Sequence, residues 1–138
     1  MWTDAECFDL KMMRASAHIN QFYKKTIAPA GVTAGQYRIL RHIDAVDGGS
    51  VQAVAEHMGV DRSTLTRTVR PLEKAGLVSD NRTEGCRDRK LVLTDEGKKV
   101  MEQARKLWAD AQDQIAEKLG KDGMRNLSAL LEILGGIE

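Results

Sequence analysis

Residues 50–78 read SVQAVAEHMGVDRSTLTRTVRPLEKAGLV, and their punctuation decides the fold. Ser50 stands where a helix N-cap belongs, Val54, Ala55 and Met58 are the apolar positions behind it, and Gly59 suits a left-handed C-terminal residue. Val60 and Asp61 make a tight turn, and Asp61 caps a second helix that runs to about Ala75 and stops at Gly76. At about 100° per residue, Leu65, Val69 and Leu72 fall on one narrow face of that helix and are expected in the core. Ser63, Arg67, Arg70 and Lys74 lie roughly opposite, with Thr64 and Thr66 on the flanks. Two helices joined by so tight a turn form a helix-turn-helix. The mixture on the exposed face suits a major-groove reader, since Arg bonds guanine in bidentate fashion and Ser or Thr bonds bases or phosphates.

Reading outward, Leu77 and Val78 begin a strand, and Lys90 to Leu93 form a second one. Between them NRTEGCRDR is a polar, basic hairpin tip, long enough to be a wing. An Arg of such a tip can enter the minor groove. Upstream, Thr33 and Gln36 have capping-box spacing ahead of Tyr37, Leu40 and Ile43, and Asp47-Gly48-Gly49 is a turn. The helix start at Ser50 to Ala53 can hold a phosphate through free backbone amides, which adds Ser50 and Gln52 to the candidate contacts. Arg62 and Arg70 are read as phosphate contacts, the commoner kind.

The ends of the chain are helical. Phe8, Met12, Ala15, Ile19 and Phe22 mark one apolar stripe over residues 5–27, ended by Pro29 and Gly31. Val100, Ala104, Leu107, Ala111, Ile115 and Leu119 mark another over 95–119, where Thr94 is the cap and Gly97 an early weak point. Gly120 breaks it, and a last helix spans about 122–134. The expected fold is mainly α with a small two- or three-stranded β wing. A winged helix-turn-helix occupies 32–94 of one module, and 1–30 and 95–138 are dimerisation helices whose stripes need a partner.

Composition agrees with a nucleic-acid binder and disfavours other classes. Of 138 residues, 42% are hydrophobic and 30% charged, and the formal net charge is +1. The charge is uneven: residues 62–90 hold eight basic against four acidic side chains, the pattern of a polyanion-binding segment. No apolar run approaches the roughly 18 residues of a spanning helix, and no secretory signal is read, so the expectation is a cytoplasmic protein with no membrane partner. There is no Gly-rich phosphate loop, no recognisable nucleophile constellation and no paired carboxylates, so no enzyme and no cofactor are expected. His18, His42 and His57 share no ligand spacing and argue no metal site.

At this point the residues resemble the MarR family of bacterial regulators. The resemblance is carried by the stretch quoted above, by the basic turn after it and by KLVLTDEGKKV, and it covers nearly the whole chain. It implies a dimer with one winged helix-turn-helix per subunit, bound to a pseudo-palindromic operator. It also implies a repressor released by a small, often phenolic ligand or by oxidation of a cysteine. In that family the wing carries an Asp, any residue, then an Arg, with Thr seven residues after the Arg. Counted back from Thr94 the Arg is Arg87, which makes Arg87 the first candidate for the minor groove and Arg89 the second, but the Asp position holds Gly85, and Glu84 or Asp88 is the candidate replacement.

Cys7-Phe8 is similar to the Cys-Phe pair of the peroxide-sensing branch. That branch's tyrosine three residues before the match to Tyr37 is Ala34 here, and the spacing from Cys7 to Tyr23 and Tyr37 is two residues longer. Cys86, among Arg82, Arg87 and Arg89, has surroundings that favour thiolate. Cys7 and Cys86 are therefore redox candidates, set against inert thiols. A small aromatic ligand would sit where the first two helices meet the DNA-binding part, with His18, Phe22, Tyr37 and Arg38 as candidates. Met12, Met13 and Trp108 are read as packing. The competing function is a winged-helix protein-interaction module without operator binding.

Overall fold

Side-chain caps set most helix boundaries in the computed structural model, which describes residues 1–85 and 87–137. Helix α1 spans Phe8–Ile27, α2 Ala34–Ala45, α3 Val51–Met58 and α4 Arg62–Lys74. Strands β1, Val78–Asp80, and β2, Leu91–Leu93, follow, and α5 spans Asp95–Gly135. The capping box before α2 is present in full: Thr33 Oγ1 accepts from the Gln36 amide and Gln36 Oε1 from the Thr33 amide, each at 3.0 Å. Ser50 Oγ accepts from the Ala53 amide at 3.0 Å, and Gly59 closes α3 at φ 72°. Thr94 Oγ1 accepts from the Gly97 amide and donates to the Gly76 carbonyl, joining α5 to the end of α4.

The apolar positions of α2, α3 and α4 converge with β2 and the end of α1. Ile27, Leu40, Ile43, Val54, Leu65, Val69, Leu72 and Leu91 are fully buried together. Each such side chain contributes about 1.5–3 kcal/mol relative to an exposed one. The hairpin is antiparallel, pairing Val78 with Leu93, Ser79 with Val92 and Asp80 with Leu91. Its third member is one residue long, a bridge between Ser50 and Lys90.

Gly97 explains itself in three dimensions. A Cβ at this position would overlap the Leu77 carbonyl, so the glycine lets α5 pack directly against the chain entering β1. The expected break at Gly120 is a kink within one long helical run, with that residue at φ 72° and ψ 169°. Three boundaries differ from the sequence reading, the first being Leu77, which precedes β1 rather than beginning it. Residues 4–6 form a separate 3-10 turn, because the Glu6 carboxylate accepts from the Thr3 amide and hydroxyl, and α1 starts only at Phe8. Lys90 lies in the bridge rather than in β2.

The stripe expected along α1 is mostly unburied: Phe8, Met12, Ala15 and Ile19 are exposed, and Ile27 is the buried residue of the helix. Leu119, Leu127, Leu130, Leu131 and Leu134 of α5 are exposed likewise. Among the described residues no helix is long and apolar enough to cross a membrane.

Candidate nucleic-acid interface

Helix α4 buries Leu65, Val69 and Leu72 and turns its other side outward. Arg62, Ser63, Thr66, Arg67 and Arg70 line an open depression of about 600 Å3 on that side. Ser63, Thr66, Arg67 and Arg70 follow the i, i+3, i+4, i+7 spacing of a single helix face. Asp61 caps the helix, accepting from the Thr64 amide at 2.8 Å. Hydrogen bonds from Ser63 first, then from the Thr64 amide and hydroxyl, hold its carboxyl well below the usual carboxylate range. Thr64 lies half-buried on the flank. On α3, Gln52 is exposed and its amide donates to Glu56 at 3.1 Å, while Ser50 serves as the helix cap.

The wing is held by a residue the sequence reading passed over. Asp80 Oδ1 accepts from the Arg82 amide at 3.1 Å and the Lys90 amide at 3.2 Å, and Oδ2 meets Arg82 Nε and Arg89 Nε, each at 3.3 Å. Asp80 thus gives the wing a carboxylate support within the hairpin. Gly85 sits at φ 83°, a conformation that side chains with a Cβ rarely adopt. Asp88 lies 4.0 Å from Arg62 across the surface. Arg89 is placed at the wing's base rather than at its tip: half-buried, it bonds Asp80 and forms an ion pair with Glu73 of α4. Its charge is largely answered within the chain, whereas Arg87 is exposed.

A second concavity, about 550 Å3, lies where α1 and α2 meet α5. Ile19, Tyr23, Ile27, Tyr37, Arg38 and Trp108 are among its walls. Tyr37 and Arg38 were expected there; His18 and Phe22 do not line it. On a helix, Ile19, Tyr23 and Ile27 share one face at i, i+4, i+8, and His18 and Phe22 are each turned about 100° from it. Trp108, read from sequence as packing, is a wall of the cavity. Among the described residues the buried Tyr37 hydroxyl has no hydrogen-bond partner, and its ring is tilted against Trp108, with the Arg41 guanidinium over both rings. Burial pushes the pKa of Tyr37 and of Tyr23 up. Tyr23 donates to Gln112 on α5.

Cys7 precedes α1, half-buried and without a side-chain capping bond. Cys86 lies outside the described residues. The structure also pairs two histidines the sequence keeps fifteen residues apart: His42 Nδ1 and His57 Nδ1 are 2.8 Å apart, joining the last turns of α2 and α3. Among the described residues no group of three or more His, Cys, Asp or Glu is placed to hold a metal ion.

A three-helix unit with a capped, arginine-faced third helix and a hairpin braced to it defines a winged helix-turn-helix regulator that binds DNA. The MarR family model matches residues 32–92. The HTH-type transcriptional regulator FarR of Neisseria gonorrhoeae is 30% identical over 133 residues, covering 94% of this chain and 90% of that one. The transcriptional repressor CouR bound to p-coumaroyl-CoA superposes with a TM-score of 0.83 at 26% identity, covering 97% of this chain and 95% of that one. CouR bound to a 23-mer DNA duplex gives 0.82 at 27% identity, covering 95% and 94%. The chain belongs to the MarR family and is a DNA-binding transcriptional regulator.

Proposed function

We propose that this regulator is a repressor, bound as a homodimer to a pseudo-palindromic operator and released when a small aromatic ligand enters the cavity beneath α2. The observation that carries the reading is the outward face of α4, where three arginines and two hydroxyls share one depression. In this reading Ser63, Thr64, Thr66 and Arg67 read base edges, and Ser50, Gln52, Arg62 and Arg70 hold phosphates. Arg87 enters the minor groove, with Arg89 bracing the wing and lending charge beside it. Single-module organisation follows from α1 and α5 packing on the same core as the helix-turn-helix. The exposed leucines of α5 and the stripe of α1 are the dimerisation surface, and the protein works in the cytoplasm.

The ligand is an aromatic molecule with an acceptor for the unpartnered Tyr37 hydroxyl and a negative charge for Arg38 and Lys24 at the cavity. CouR, crystallised with p-coumaroyl-CoA, makes hydroxycinnamoyl thioesters and their free acids the first compounds to try. An oxidant trigger has less support, since neither tyrosine hydroxyl is bonded to Cys7.

Selection of bound sequences from a random duplex library, followed by a salt titration on the best site, tests the reading. A recovered two-fold site with half-sites about one helical turn apart and a steep salt dependence is expected. A folded dimer that enriches no sequence at low salt would refute it and leave a protein-interaction module.

A further inference from the structure

Every hydroxyl on α4 has its proton committed. Ser63 Oγ lies 2.6 Å from Asp61 Oδ1, and Thr64 Oγ1 lies 2.8 Å from Asp61 Oδ2. The ionised carboxylate has no proton to give, so both hydroxyls are the donors. Thr66 Oγ1 donates to the Arg62 carbonyl at 2.9 Å, and Thr68 Oγ1 to the carbonyls of Thr64 and Leu65 at 3.1 and 3.0 Å. A carbonyl, too, only accepts.

A hydroxyl has one proton and two lone pairs. With the proton spent inside the helix, Ser63, Thr64 and Thr66 have acceptors left for a partner. A phosphate oxygen offers such a group nothing. In the major groove the available donors are the N6 amino group of adenine and the N4 amino group of cytosine. Arginine is the opposite case, with five donors and no acceptor, suited to guanine, thymine O4 and phosphate. Ser63 and Thr66 share their depression with Arg62, Arg67 and Arg70, so the two polarities stand side by side on one face.

We propose that Asp61, which holds the protons of Ser63 and Thr64, and the Arg62 carbonyl, which holds that of Thr66, fix the hydrogen-bond polarity of this face, so that the three hydroxyls read the amino groups of adenine or cytosine and leave phosphates and guanine to the arginines. Asp61 is then a positioning residue for specificity, acting through the hydroxyls without touching the DNA. The inference rests on the reading that α4 lies in the major groove.

The test uses the full-length protein and the duplex recovered by selection. Each adenine of a half-site is replaced in turn by purine, which lacks the N6 amino group, and each cytosine by 2-pyrimidinone, which lacks the N4 amino group. At one to three positions the wild type should lose roughly three- to tenfold in affinity. Ser63→Ala or Thr66→Val should abolish the loss at its own position, and comparison on the same duplex removes any effect of the analogue on base pairing. Asp61→Asn is the second variant. Asn caps a helix about as well as Asp, but its amide must be accepted by a hydroxyl, which frees that hydroxyl's proton to point outward. The variant should melt near the wild-type temperature, bind random DNA at least as tightly and lose its discrimination against the amino-free base at the position read by that hydroxyl, while the position read by Thr66 keeps it. If removing amino groups costs the wild type and the hydroxyl variants equally while Arg67→Ala still weakens binding, the polarity assignment is wrong. If Arg67→Ala selects the same site with the same affinity, the placement of α4 in the groove falls, and the assignment with it.

Discussion

The segment from α2 to β2 and the terminal helices handle their apolar residues in opposite ways. In the first, Leu40, Ile43, Val54, Leu65, Val69, Leu72 and Leu91 all vanish into one core. In the second, Phe8, Met12, Ile19, Leu127, Leu130 and Leu131 stay exposed although they recur at the same helical spacings. Periodicity marks a face that must be covered and is silent on what covers it. The reading segment finishes its core within the chain, and the outer helices leave theirs for a second surface.

Substitutions on the two sides should therefore fail in different assays. Leu65→Ala opens a cavity beneath the reading face and should cost about 2–5 kcal/mol in chemical denaturation, with DNA binding lost along with the fold. Leu130→Glu touches no core. It should weaken self-association by at least about 2 kcal/mol in sedimentation equilibrium while the circular dichroism of the monomer persists. A wild-type loss of stability in Leu130→Glu at protein concentrations too low for association would erase the contrast. Arg67→Ala should leave both stability and association unchanged and cost about 1–3 kcal/mol on the selected duplex. An equal loss on every sequence would assign it to a phosphate instead.

The smallest expected effect is a pH dependence within the reading segment. Burial, then His57, Arg41 and Arg38, hold the pKa of His42 below its usual value. The folded chain favours neutral His42, and the unfolded chain takes up the proton near the ordinary pKa of 6.5. The associated stability is full above that pH and is lost as pH falls through it toward the folded value. Thermal melts between pH 7.5 and 5.5 should show the midpoint falling, with a shallower slope in His42→Gln. An identical slope in the variant would assign the dependence to other groups.

Local chemistry was readable in advance. Caps at Thr33, Ser50, Asp61 and Thr94 and the 3.6-residue spacing of α4 involve neighbours within four residues, and the structure keeps all of them. Contacts across the fold were not. Asp80 supports the wing through the amide of Lys90, ten residues on, and Arg89 reaches back to Glu73 across the hairpin. The cavity shares only Ile19 with the stripe through Phe22, and its other α1 walls sit on the adjacent face, where Tyr23 turns inward to Gln112. The His42–His57 pair needs the packing of α2 on α3 before it exists.

The chain of charges from Glu73 through Arg89 to Asp80 has a mechanical consequence. It spans the gap between the recognition helix and the hairpin, and the Thr94 hydroxyl pins the exit of the hairpin to the end of the same helix. Helix and wing are braced as one rigid body. A disturbance that tilts α4 carries the wing with it, so in the proposed reading the contacts of helix and wing with DNA are made or surrendered in a single movement.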